Sequence, residues 1–199
     1  MIKYIVVALL GIIFTACTST RAHVSEYRIT PSVEVQALNQ GQCSQKSIKV
    51  AHTFSSDLYR TLEMNYAQGE YKLDTYTQSQ WAVSLNRAVN AQLVNMLNAS
   101  KLFKTVQVAE SRTKNDYVLE TNIEDFMQYF DEDAQHSVAK VKISMTLIEA
   151  KSTKIVASNI FTTEVETQEL NAAAGVKALN KALGNVLKES SLWLEAVCQ

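Results

Sequence analysis

The chain has 199 residues, with 19 Lys and Arg against 20 Asp and Glu and three His, a formal net charge of -1. With no basic surplus it lacks the electrostatic footprint of a nucleic-acid binder, and its mixed charges without low-complexity blocks exclude a disordered chain. One proline and five glycines are lean for an enzyme with several tight substrate loops, and the length suits one domain with its own core.

Lys3 precedes an almost wholly apolar run from Tyr4 to Phe14, followed by Thr15, Ala16 and Cys17. Charge, short apolar segment and small residues, in that order, are the parts of a secretory signal. The run falls well short of the ~20 apolar residues that cross a bilayer as a helix. A cysteine directly after the small residues resembles a lipobox, where a bacterial lipoprotein is acylated and then cut before the cysteine. Phe14 stands where leucine is usual. An ordinary cleaved signal with a chance cysteine is the alternative. On the lipobox reading, residues 1–16 are the signal peptide and Cys17 is the lipidation site, carrying two or three acyl chains, palmitate among them. Residues 17–25 are then an acylated tether and residues 26–199 a single periplasmic domain. One acyl chain holds a membrane only reversibly, at ~0.8 kcal/mol per buried CH2, whereas two or more anchor stably. Thr18, where enteric inner-membrane lipoproteins tend to carry aspartate, favours the outer membrane, with the domain on its periplasmic face.

Tyr27, Ile29 and Val33 alternate through Glu26–Val33 and predict a first strand, with Pro31 at its edge or end. A polar loop holding Gly41 and Cys43 leads to a second strand over Lys46–Thr53. In the next segment, Met64 and Tyr66, then Tyr71 and Leu73, flank Gln68-Gly69 as in a hairpin. Trp81, Leu85, Ala88, Val89, Leu93, Met96 and Leu97 recur at helical spacing and predict a helix over Gln78–Ser100, capped by Thr77 or Ser79. Trp81 reads as a core anchor at its start.

A short strand is expected over Phe103–Ala109, then three long ones. In the first, Tyr117–Phe130, Tyr117, Leu119, Thr121 and Ile123 are placed on one face and Val118, Phe126 and Phe130 on the other. The second alternates strictly from Ala139 to Leu147. The third, Lys154–Thr167, slips phase near Ser158-Asn159, where a bulge is expected. A second long helix closes the chain over Glu169–Val197. The fold class is therefore α+β: a two-layer sandwich of a mainly antiparallel mixed sheet with two long helices on one face. The second strand, the first helix and the Phe103 strand fit a parallel crossover.

With Cys17 taken by lipid, Cys43 and Cys198 remain as a pair in an oxidising compartment, where a disulfide forms and persists. Two unpaired thiols are the alternative, since sequence does not give the distance. The chain has no Walker A loop, no Gly-x-Ser-x-Gly elbow and no His-Glu-x-x-His. His136 near Asp131, Glu132 and Asp133 reads either as a metal site at a hairpin tip or as a solvated acidic turn, and the spacing matches no defined metal loop. A Cys43 nucleophile with His52 is a weaker use of that cysteine than a bridge. No catalytic residue, metal ligand or cofactor is assigned. The aromatic residues Tyr59, Tyr66, Tyr71, Phe126, Tyr129 and Phe130, with Tyr76 beside them, are the candidate partner or lipid surface if several face outward together; otherwise they are core and strand-pairing residues.

The layout resembles the ABC-type transport auxiliary lipoproteins over nearly all of the chain after the signal. The resemblance rests on the lipobox, Tyr27-Arg28-Ile29, Ile48-Lys49-Val50, Asp57-Leu58-Tyr59 and Met64-Asn65-Tyr66. It continues through Trp81, Leu97-Asn98-Ala99-Ser100, Leu102-Phe103, Asp116-Tyr117-Val118-Leu119-Glu120, Phe126 and the alanine-rich final helix. Where that family usually has a proline after the second strand, this chain has Ala51-His52. The resemblance implies an accessory or docking lipoprotein with no enzymatic activity of its own. Its partners would be an MCE-domain protein, a permease and an ATPase that together move lipid between two membranes. Phospholipid contact and a homo-oligomeric ring are further implications. A structural or assembly lipoprotein of another envelope complex, without lipid cargo, and a lipid-anchored hydrolase are the competing classes.

Overall fold

The structure is a computed structural model, and it describes residues 23–35, 37 and 41–199. The expected signal peptide and the expected lipidation site, Cys17, therefore lie outside the described residues. Among the described residues, nine strands and two helices make the α+β architecture expected from sequence. The strands are β1 Ser25–Tyr27, β2 Ser47–Val50, β3 Phe54–Ser55, β4 Glu63–Gln68, β5 Lys72–Trp81, β6 Thr105–Gln107, β7 Tyr117–Phe130, β8 Ser137–Glu149 and β9 Lys154–Glu166. The helices are α1, Leu85–Ser100, and α2, Ala172–Val197.

Strand β7 is the spine. One of its edges pairs antiparallel with β8, which pairs antiparallel with β9, giving the meander the alternation predicts. Its other edge takes three short parallel strands in succession: β2 opposite Tyr117–Leu119, β3 opposite Asn122 and Ile123, and β4 opposite Gln128–Phe130. β6 lies parallel beyond β2. Beyond β4 lies its hairpin partner β5, and β1 pairs parallel with the end of β5.

Both helices cover one face of this sheet. The inward residues Leu119, Ile123, Phe126, Val141, Ile143, Met145 and Leu147 meet Val89, Leu93 and Leu97 of α1 and Leu179, Leu183, Val186 and Leu187 of α2, all buried. Burying each such side chain contributes about 1.5–3 kcal/mol. Asn171 caps α2 by accepting from Ala174 N–H at 2.9 Å.

Four elements differ from their expected form. The first helix begins at Leu85, because residues 78–81 belong to β5. Trp81 N–H donates to Leu62 O (2.7 Å), Ala82 N–H donates to Tyr27 O (2.8 Å), and Tyr27 pairs with Trp81. These bonds hold the segment extended although its spacing continues the helical stripe. Trp81 is a core anchor, buried edge-on to Phe126.

Only Ser25–Tyr27 of the expected first strand joins the sheet. The following residues cross the helices instead: Thr30 N–H donates to Asn180 Oδ1 (2.6 Å) and Ile29 O accepts from Gln92 Nε2 (3.2 Å). Side chains of the helices satisfy backbone groups that a neighbouring strand would otherwise bond.

In β7, Glu124 is an extra residue between Ile123, paired with Ile143, and Asp125, paired with Lys142. One inserted residue exchanges the faces of everything after it. Phe126 and Phe130 therefore share the helix-facing side with Leu119 and Ile123, not the opposite one. In β9 the extra residue is Val156, between Ile155 and Ala157, rather than at Ser158-Asn159.

Cys43 and Cys198 are bonded, with Cα atoms 5.3 Å apart across 155 residues of chain. The loop before Cys43 grips the same end: Gln42 N–H donates to Cys198 O at 2.7 Å. Gly41 sits at φ 113°, a left-handed conformation that favours glycine, and a Cβ there would stand 2.8 Å from Cys198 O.

Candidate functional site

The face of the sheet away from the helices carries the candidate site. The Glu124 bulge turns Asp125 onto this face, beside Tyr129 of the same strand. The short 3-10 turn Asp57–Tyr59 lays Tyr59 over it. Tyr129 O–H donates to both Asp125 oxygens (2.9 and 2.8 Å), and Tyr59 O–H donates to Oδ1 at 3.3 Å. On β8, Lys140 holds its Nζ 5.9 Å from the Tyr129 ring centre and 3.4 Å from Glu164 Oε1 of β9. One residue pair along, Lys142 Nζ meets Glu124 Oε2 at 2.8 Å. Acidic, basic and acidic side chains thus alternate across three strands.

Burial sets the protonation of this group. It pushes the Asp125 carboxyl above its ordinary range, against the opposing pull of hydrogen bonds from Tyr129 and Tyr59 and the nearby Lys140 charge. It pushes the Tyr59 phenol up to about 12, helped by the Asp125 charge. Tyr129 is likewise raised, by burial first and then by its bond to Asp125. Both phenols stay protonated at neutral pH and act as donors. The arrangement therefore fixes a polar surface; it does not present an activated nucleophile.

The six aromatic candidates do not converge on one surface. Phe126 and Tyr59 are buried. Tyr66 packs against Tyr76 (ring centres 4.6 Å apart) and edge-on to Phe130 (5.5 Å), on the helix side of the hairpin. Tyr76 O–H donates to the buried amide of Gln128 at 2.8 Å, and Gln128 Nε2 donates to Ser137 Oγ at 2.9 Å. Tyr129 is tied to Asp125. Tyr71 alone of the six stands open, 89% exposed at the β4–β5 turn, with Leu73 53% exposed beside it. Sequence reading overlooked Asp125 and Lys140. The bulge in β7 brings Asp125 to the open face, whereas Lys140 stands there by the plain alternation of β8.

The other chemical readings resolve locally. The Asp131 carboxylate accepts from the N–H groups of Gln135 (2.8 Å) and His136 (3.1 Å), so it caps the turn. Among the described residues no group of three or more His, Cys, Asp and Glu is placed to hold a metal ion. Cys43 is consumed by its bridge, and His52 is exposed, 3.9 Å from Glu110. Among the described residues, three depressions stand open to solvent. One is lined by Lys46, Lys114, Asp116, Glu149 and Lys151, one by Arg28, Val83 and Arg87, and one by Glu166, Lys177 and Lys181. Among the described residues no helix is long and apolar enough to cross a membrane.

Comparison with known proteins gives the same architecture a family. No curated protein matches the sequence. Among solved structures, protein XCC0632 from Xanthomonas campestris superposes with a TM-score of 0.77 at 19% identity, over 87% of this chain and 96% of that one. An uncharacterized protein superposes with a TM-score of 0.63 at 14% identity, over 86% of this chain and 99% of that one. At such identities the likeness is one of fold. The family model described as ABC-type transport auxiliary lipoprotein component matches residues 27–189. That match runs from the last residue of β1 through most of α2, and the chain belongs to the ABC-type transport auxiliary lipoprotein family.

Proposed function

We propose that this chain is a lipoprotein anchored through Cys17 on the periplasmic face of the outer membrane. There it serves as a docking subunit for an ABC system composed of an MCE-domain protein, a permease and an ATPase, which moves phospholipid between the two membranes. Residues 1–16 are the signal peptide, 17–25 the tether and 26–199 the working domain. The family match over residues 27–189 carries the reading.

Two features support a docking role over a catalytic one. The sequence has no Walker A loop, so nucleotide hydrolysis belongs to a partner. The described open face is a braced, charge-alternating surface, and such surfaces give orientation and partner choice. The anchor is tested by palmitate labelling and membrane fractionation: the wild type labels and sediments with outer membrane, and Cys17→Ala does neither. Labelling of Cys17→Ala, or recovery of the wild type in the inner membrane, would contradict the assigned anchor or its location.

A further inference from the structure

We propose that the β4–β5 hairpin tip, Tyr71 to Leu73, rests in the headgroup region of the membrane that holds the acylated Cys17. This rests on the anchor reading given under the proposed function.

The first observation is exposure. Glu70, Tyr71, Lys72 and Leu73 are all exposed, and the tip projects past the last strand pair, Gln68 with Lys72. Tyr71 and Leu73 are two residues apart, and Lys72 between them has a long stem. An aromatic with a polar end, an aliphatic and a lysine able to lift its charge to water suit the membrane–water boundary.

The second observation is where the tether enters. β1 runs parallel to β5, with Ser25 opposite Ser79 and Tyr27 opposite Trp81. The chain therefore comes into β1 from the side on which β5 begins, the side of the hairpin tip. Cys17 lies eight residues before Ser25, and Tyr71 lies eight residues before Ser79. At ~3.3 Å per extended residue, each span is ~26 Å. With β5 standing along the membrane normal, a tether extended like a strand brings Cys17 about level with Tyr71, and its covalent limit of ~3.6 Å per residue adds only ~3 Å. In that orientation any shorter path draws the tip further into the surface.

The third observation is charge, and it selects the lipid. The tip is flanked by the turn of Asp131, Glu132 and Asp133, onto which Gln68 Nε2 holds by donating to Glu132 O at 3.0 Å. An acidic flank is repelled by anionic lipid, so the tip suits a zwitterionic surface. Lys46, Lys114 and Lys151 line the depression beside Tyr117, at the opposite end of β7 from Phe130. Asp116, 3.7 Å from Lys46, and Glu149 line it too, leaving one positive charge in excess, so electrostatics alone would present that end rather than the acidic tip to an anionic membrane. Tether and lysines therefore call for opposite orientations, which one experiment separates.

With Cys43 and Cys198 bridged and Cys17 acylated, an introduced cysteine is the reactive thiol. The full acylated chain carrying Tyr71→Cys or Lys151→Cys is labelled with an environment-sensitive fluorophore. It is then bound to phosphatidylethanolamine–phosphatidylcholine vesicles containing a shallow spin-labelled lipid. The proposal expects a blue-shifted label at 71 that is quenched severalfold more than the label at 151, with quenching at 71 reduced when anionic phosphatidylglycerol is added. Quenching at 151 alone, or at neither site, in a chain that floats with the vesicles overturns the tip contact and leaves the anchor standing. Reaction of the fluorophore with Cys17 in the unsubstituted chain, together with failure to float, overturns both.

Discussion

Gly175 of α2 packs against Gln128 of β7 so closely that a Cβ at position 175 would overlap the Gln128 side-chain oxygen. That oxygen accepts from Tyr76 O–H and the amide nitrogen donates to Ser137 Oγ, so the amide cannot turn aside without leaving a buried donor unpaired. Gly175→Ala gains up to ~1 kcal/mol of helix propensity and loses about 1–3 kcal/mol to overpacking, for a net loss of stability in urea unfolding. The loss shrinks in a Gln128→Ala background, where the amide is absent; an equal loss in both backgrounds would place the strain elsewhere.

The bridge between Cys43 and Cys198 closes a loop of 155 residues. Loop entropy assigns it about 4–5 kcal/mol, and measured values often fall below that. Replacing both cysteines by serine should lower the thermal midpoint and make it insensitive to dithiothreitol, which lowers the midpoint of the unsubstituted chain. A reductant effect of the same size on both proteins would show that the bridge carries none of the stability.

Asp125 has a raised native carboxyl pKa, so the folded state holds its proton more tightly than the unfolded state does. Its stabilising contribution is complete below the ordinary aspartate value, ~3.9, and is lost as pH rises through the raised value. Asp125→Asn removes that slope while keeping an oxygen for Tyr59 and Tyr129. The variant should gain on the wild type between about pH 4 and pH 7 when urea midpoints are compared. Asp125→Ala strands two phenols and should cost about 1–3 kcal/mol at either pH.

Asp116 behaves oppositely. Its Oδ2 accepts from Ser47 N–H and Oγ–H, both at 2.8 Å, clamping the start of β2 to the loop before β7. The Ser47 N–H bond leads in holding the carboxyl below its ordinary range, followed by the hydroxyl bond. This contribution is present above the ordinary aspartate value and is lost as pH falls through the lowered one. The group is solvent-screened, so its size is under ~1 kcal/mol. The urea midpoint of Asp116→Asn should lie below the wild type at pH 6 and converge with it toward about pH 3. A gap that widens on acidification would contradict the assignment.

The period-2 alternation of Ala139 to Leu147 and the 3.6-period stripes of the two helices fixed the layers, because each face has one buried side. The two bulges were less legible. A single extra residue leaves local composition unchanged and shows only through pairing with the neighbour, so Glu124 hid the side on which Phe126 lies. Trp81 misled for a related reason: its spacing to Leu85 fits a helix, and only the bonds to Leu62 and Tyr27 hold it in a strand. The Asp125 group depended on that same bulge. In the sequence Tyr71 is one aromatic among several, and exposure alone separates it from Tyr59, Tyr66 and Phe126.

The most direct test is native purification of the full chain from its own membranes, with mass spectrometry of both the proteins and the lipids recovered. An MCE-domain protein, a permease and an ATPase, together with phospholipid above the level carried by a control lipoprotein, is the result expected. Subunits of a different envelope machine with only background phospholipid would contradict the transport role.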